Sequence, residues 1–186
     1  MRIISGKFGG RRLASVGTGD AKSHLRPTTD RVREALFSAL EGGRYGDPIE
    51  DAKVLDLFAG TGALGLEALS RGAHHVTFVE NGRKALSILS ANIDTLGADK
   101  TSIVKTDVTR LPAAKNAAQL VFLDPPYGKG LGERALLSAK SKGWIDKNAL
   151  IVWEEAAPMI APEGFTLRDH RRYGDTHVTL LRAEES

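Results

Sequence analysis

Between residues 53 and 154 the chain alternates short apolar runs with stretches of helical periodicity, and few folds accommodate that order. Apolar runs at 53–58, 75–80, 102–106, 120–124 and 149–154 predict five strands. Helices are predicted between them at 63–70, 83–96 and 131–142. Strands that are apolar on both sides and separated by helices form a parallel sheet covered on both faces. The tail, 166–173 and 177–182 joined through Gly174-Asp175, predicts a closing antiparallel hairpin. The expected fold is α/β: a doubly wound, Rossmann-like, mostly parallel sheet with an antiparallel C-terminal hairpin.

The first 46 residues follow a different pattern. Residues 2–4 and 12–16 flank a Gly-rich stretch at 6–10 and predict a β-hairpin. Pro27 disfavours helix at Arg26, Thr29 or Asp30 can cap, and Val32, Ala35, Leu36, Ala39 and Leu40 recur at helical spacing until Gly42-Gly43. This segment holds nine Lys/Arg against four Asp/Glu, a net +5, whereas the other 140 residues sum to −2. A basic segment beside a near-neutral body suits an anionic partner, of which a phosphate backbone is the commonest, or simply a solvated surface. The division expected is 1–46 as a small basic, RNA-binding hairpin-and-helix extension and 47–186 as the main domain. Lys7, Arg11, Arg12 and Arg26 are the RNA-contact candidates, with Arg31 and Arg33 weaker ones. The absence of cysteine removes disulfides, zinc–thiolate sites and cysteine nucleophiles. No apolar run is long enough for a membrane span, and no secretory signal is evident. A cytoplasmic monomer without metal is expected.

Sheets of this kind bind ligands at the carboxyl ends of their strands. There the chain carries Asp56 and Gly60, Glu80, Asp107 and Asp124. Residues 58–65 (Phe58-Ala59-Gly60-Thr61-Gly62-Ala63-Leu64-Gly65) contain G-x-G-x-x-G between a strand and a helix, which serves NAD as well as S-adenosylmethionine. Three features favour S-adenosylmethionine. Asp56, four residues before Gly60, can orient the loop and receive an ammonium that NAD lacks, or simply cap the turn. Asp107, with Val108 beside it, can accept from an adenine amine or cap a short helical turn. Glu80 can take both ribose hydroxyls of either cofactor and is not one of the three. The third and strongest feature is Asp124-Pro125-Pro126-Tyr127 at the end of the fourth strand. The cofactor residues expected are Asp56, Phe58, Ala59, Gly60, Thr61, Gly62, Glu80, Asp107 and Val108, in a class I methyltransferase sheet.

The tetrad suits methylation of a planar amine, and Asp124, Pro125, Pro126 and Tyr127 are the catalytic candidates. A nucleobase exocyclic amine is a poor nucleophile because its lone pair is delocalised into the ring. The Asp124 side chain and the Pro125 carbonyl can each accept one N–H, holding the nitrogen in line with the methyl group. Two prolines stiffen the loop, and Tyr127 offers a flat face for a flipped-out base. The histidines at 24, 170 and 177 are scattered and receive no role.

Residues 1–13, 26–37 (Arg26-Pro27-Thr28-Thr29-Asp30-Arg31-Val32-Arg33-Glu34-Ala35-Leu36-Phe37) and 56–72, together with Asp124-Pro125-Pro126-Tyr127, resemble the bacterial RsmD family. The resemblance covers nearly the whole chain. It implies methylation of the N2 amine of guanine 966 in 16S rRNA, with S-adenosylmethionine as donor. The implied substrate is an assembled or assembling small ribosomal subunit. The other readings are an N6-adenine DNA methyltransferase, for whose target-recognition domain the chain has no room, an NAD-dependent oxidoreductase, and a non-catalytic RNA-binding module.

Overall fold

The computed structural model describes residues 1–16 and 28–185. Along the chain come α1 (Asp30–Glu41), β1 (Lys53–Leu57), α2 (Ala63–Ser70), β2 (His75–Glu80), α3 (Arg83–Leu96) and β3 (Thr101–Lys105). A 3₁₀ turn (Val108–Arg110), β4 (Ala118–Leu123), α4 (Leu131–Ser141), β5 (Ile145–Glu155), β6 (Phe165–Tyr173) and β7 (Thr176–Ala183) complete it. The seven strands form one sheet in the order β3-β2-β1-β4-β5-β7-β6. Strands β1 to β5 are parallel, and β7 runs antiparallel between β5 and β6. The chain winds outward from β1 through β2 to β3, then crosses back to β4. The topological switch point therefore lies between β1 and β4, where such sheets open a crevice.

Each sheet face buries its own apolar layer. Val54, Phe78, Phe122 and Val152 pack with Leu36, Phe37 and Leu40 of α1, Leu66 of α2 and Leu89 of α3. Leu57, Val121, Leu123, Ile151 and Trp153 pack on the other side with Ala135, Leu136 and Ala139 of α4. The predicted elements are all present in the main body. Strand β5 starts four residues before the predicted 149, because Ile145 pairs with Ala118 ahead of a register shift and a left-handed Asn148 at φ 60°.

In the N-terminal segment one expectation is shortened and one is corrected. The hairpin reduces to a single antiparallel bridge between Arg2 and Arg12, closed by backbone bonds from Ile3 to Arg11, Gly10 to Ile3 and Leu13 to Met1. Its backbone spends its remaining polar groups on the body instead. In α1, capped by the Thr29 hydroxyl, the buried side chains are Arg33, Leu36, Phe37 and Leu40. The buried stripe is thus turned from the predicted one, and Arg33, fully buried, is removed as an RNA contact.

Residues 1–15 are fastened to α1, α2 and α3. The Glu67 carboxylate accepts the Ile4 and Ser5 amides at 2.9 and 3.1 Å and the Arg71 Nε at 2.8 Å, and stands 3.7 Å from the Arg33 Nε. Arg33 in turn donates to Asp30 at 2.9 Å and to the Arg2 carbonyl. Lys7 and Phe8 amides donate to the Ser70 carbonyl and hydroxyl at 2.7 and 2.9 Å. Gly6, at φ 83°, passes so close to this turn that a Cβ would lie 1.9 Å from the Ser70 carbonyl oxygen, so no other residue fits there without moving backbone. Asn92 of α3 accepts from the Ala14 amide and donates to the Ala14 and Thr61 carbonyls, tying the arm to the glycine loop.

Candidate active site

Strand β1 ends in a sharp turn. Phe58 sits at φ 58°, a region bulky side chains avoid and which tends to mark functional loops. The Ala59 amide donates to Val79, and the Gly60 amide to Glu80 Oε2 at 2.8 Å. The other Glu80 oxygen accepts the Asn81 and Gly82 amides, each at 2.9 Å. One carboxylate therefore locks the β1–α2 loop to the β2–α3 loop. Asp56 lies beneath, 1% exposed, with Oδ2 accepting the Gly65 amide at 3.0 Å. A Cβ on Gly65 would stand 2.5 Å from the Phe78 ring and 3.0 Å from that same oxygen, so this glycine lets α2 sit against the sheet.

Above the strand ends opens a cavity of about 440 Å³, within the range of small-ligand sites. Of the residues singled out from the sequence, Phe58, Glu80, Asp107, Val108, Asp124 and Pro126 line it. Asp56, Ala59, Gly60, Thr61 and Gly62 are not among its lining residues, nor is Pro125, which is buried. Asp107 caps the 3₁₀ turn, one oxygen accepting the Thr109 amide at 2.8 Å and hydroxyl at 2.7 Å. Those bonds hold its carboxyl below the usual carboxylate range and leave the second oxygen available. Val79, Asn81, Gly82, Arg83, Lys84, Ala85 and Leu131 also line the cavity. Those at 81–85 follow Glu80 directly, so the position of Glu80 was a signal for them.

Asp124 ends β4 at the cavity, with Asp56 at the end of β1 on one side and Glu154 at the end of β5 on the other. Burial raises its pKa well above the ordinary range, and the charges of Glu154, Asp56 and Glu155 raise it further. Glu154 is 2% exposed; Oε2 accepts the Thr28 hydroxyl at 3.2 Å, and Oε1 has no partner among the described residues. Its pKa is pushed up to about 7 by burial, against the lowering effects of Thr28 and Arg33. Glu155 accepts the Gly128 amide at 3.3 Å and steadies the loop after the tetrad. Tyr127 is half-buried; its phenol is raised by burial and partly restored by a hydrogen bond with Thr176. Sequence reading passed over Glu154 and Glu155, which look like the polar end of a strand until β5 is set beside β4.

The four predicted RNA contacts divide. Lys7 and Arg12 are exposed, Lys7 with its ammonium 5.3 Å from the Phe8 ring centre. Arg11 is exposed too, but its guanidinium donates to the Thr95 and Leu96 carbonyls at the C-terminus of α3. Arg26 lies outside the described residues. Among the described residues no group of acidic or histidine side chains is arranged to hold a metal ion.

The family model described as conserved hypothetical protein 95 matches residues 1–182. The chain is 42% identical to ribosomal RNA small subunit methyltransferase D of Escherichia coli K12, over 99% of this chain and 90% of that protein. It is 36% identical to the protein of the same name in Haemophilus influenzae, over 98% and 93% respectively. Among solved structures, yhhF from Escherichia coli superimposes with a TM-score of 0.83 at 37% identity, covering 100% of this chain and 99% of that one.

Proposed function

This chain belongs to the RsmD family, and from that membership we propose that it methylates a guanine N2 amine of 16S rRNA, with S-adenosylmethionine as donor. Relatives named as small-subunit rRNA methyltransferases support the substrate class. The resemblance points to guanine 966, within the small ribosomal subunit or an assembly intermediate, and to action in the cytoplasm as a monomer. No described helix is long and apolar enough to cross a membrane. Residues 1–46 would form the RNA-binding extension and 47–186 the methyltransferase domain, with Lys7 and Arg12 among the arm's exposed cations for phosphate.

The site residues fit the cofactor's chemistry. A cavity bounded by Phe58 and Val108 suits an adenosine, and Glu80 and Asp107 present carboxylate oxygens toward hydroxyl and amine donors. Asp124 brings a carboxyl to the cavity wall, and a bound sulfonium nearby would favour its ionised form. When bound, the cofactor supplies an electrophilic methyl group.

The observation that carries the reading is Asp124, half-buried at the cavity wall beside Asp56, Glu154 and Glu155. In this role Asp124 and the Pro125 carbonyl each accept one N–H and hold the nitrogen toward the methyl group. Methylation would turn the amine acidic, leaving a proton to be taken up at the Asp124 carboxylate. Asp124, its proton affinity raised by burial and like charges, is suited to receive the released proton. Tyr127 supports the base by stacking.

The test is transfer of labelled methyl from S-adenosylmethionine to small-subunit particles lacking the modification. Asp124→Ala should lower single-turnover transfer about 10²–10³-fold or more, as loss of a transition-state hydrogen-bonding group does, with little change in S-adenosylhomocysteine affinity. No incorporation by the wild type, or unchanged transfer by the variant, would contradict the proposal.

A further inference from the structure

We propose that Glu154 selects the target base, accepting the ring N1–H of guanine while Asp124 holds the N2 amine. The inference rests on the guanine-N2 reading and adds a residue to it. Strand pairing of Leu123 with Trp153 sets Asp124 and Glu154 side by side on parallel neighbours, whose backbones lie about 4.8 Å apart. Phe122 and Val152 share one face of the sheet, and two residues on, Asp124 and Glu154 share it again. The cavity lined by Phe58, Glu80 and Asp107 occupies the side of Asp124 toward β1 and β2. A base delivering its amine to Asp124 from opposite that cavity turns its ring toward β5, where Glu154 stands.

The chemistry of the bases then discriminates. Guanine is the one common base whose exocyclic amine adjoins a ring N–H; adenine and cytosine present a bare ring nitrogen there, an acceptor. An acceptor beside Asp124 completes a donor pair on guanine and faces a lone pair on the other two. Glu154 has the acceptor to give. Oε1 is buried without a partner among the described residues, an arrangement that a ligand donor would relieve. Burial raises its carboxyl, the Thr28 hydroxyl and the Arg33 charge oppose that rise, and a ligand N–H on Oε1 would favour the ionised form further. A purely structural acid held by Thr28 would leave base preference untouched, so preference is the readout.

Reconstituted small subunits carrying guanosine or 2-aminopurine at the modified position supply the comparison. 2-Aminopurine keeps the C2 amine and replaces the N1–H with a bare nitrogen. The wild type should transfer methyl to guanosine about 10–100-fold faster in single turnover, the range expected for one buried polar group left unpaired. Glu154→Gln, whose amide can turn to donate, should slow guanosine transfer about tenfold and bring the preference below about threefold, with S-adenosylhomocysteine affinity retained. Thr28→Val, which frees Oε2, should narrow the preference in the same direction and decides the matter if Glu154→Gln does not fold. A wild type indifferent to the substitution, or a folded Glu154→Gln or Thr28→Val variant with undiminished preference, overturns the assignment. Failure of the wild type to methylate guanosine at all overturns the guanine-N2 reading instead.

Discussion

Replacing Glu67 by Gln should destabilise the protein far more than loss of a surface charge would. Glu67 and Arg33 have fully buried side chains, 3.7 Å apart. The Nε and Nη1 of Arg33 have no hydrogen-bond partner among the described residues, so its charge is answered by Glu67 nearby and by Asp30, whose side chain is 40% exposed. Breaking a buried ion pair from one side costs about 3–5 kcal/mol, because a charge remains in a low-dielectric site. Asp30 compensates in part, which sets the expectation at the lower end, about 3 kcal/mol. For a chain of this length each kcal/mol lowers Tm by about 2–4 °C, giving a drop of about 6–12 °C. Urea unfolding and calorimetry on Glu67→Gln measure it. Adding Arg33→Met removes the stranded guanidinium, so the double variant should be more stable than the Glu67→Gln parent. A Glu67→Gln cost under about 1 kcal/mol, or purely additive effects, would refute the account of this cluster as mutually compensating charge.

Gly65→Ala should cost about 1–3 kcal/mol by overpacking α2 against Phe78 and Val76, and weaken S-adenosylhomocysteine binding in calorimetric titration by loosening the loop above Asp56; unchanged stability would count against that close approach. Folding raises the Glu154 carboxyl from 4.5 to about 7, so its contribution to stability is full below about pH 4.5 and lost as pH rises through about 7. At 1.36 kcal/mol per pH unit that is roughly 3 kcal/mol, and Glu154→Gln should gain most of it relative to wild type between pH 5 and pH 8 in paired urea melts; parallel pH profiles would contradict this. Neutralising Lys7 and Arg12 together should flatten the salt dependence of RNA binding by about 0.7–0.9 in log–log slope per lost phosphate contact while sparing cofactor affinity, and an unaltered slope would remove both from the interface.

The glycine loop, Glu80, Asp107 and the tetrad were legible because each sits at a strand end, and strand ends are marked locally by an apolar run meeting glycine, proline or acid. Glu154 was not, since its significance comes from the β4–β5 register, a long-range property. Arg33 misled for a related reason. Charged residues in helices usually face water, and only the docking of residues 2–5 against α2 makes burial of Arg33 with Glu67 tolerable. The N-terminal hairpin is shorter than its sequence suggests, because backbone groups that would have extended its ladder find partners on Glu67, Ser70 and Asn92.

The docking of the arm also orders events in time. Ile3, Phe8 and Leu13 belong to the core, yet the groups that seat them lie 62 to 85 residues downstream, from Glu67 to Leu96. During synthesis residues 3–13 leave the ribosome before α2 and α3 and therefore have nowhere to settle until those helices exist. The arm is bound to dock late, closing over a sheet already under construction, and contacts of such long loop closure slow folding. A chain halted before residue 96 would hold three apolar side chains without their full seat, a natural handle for chaperones while the rest is made.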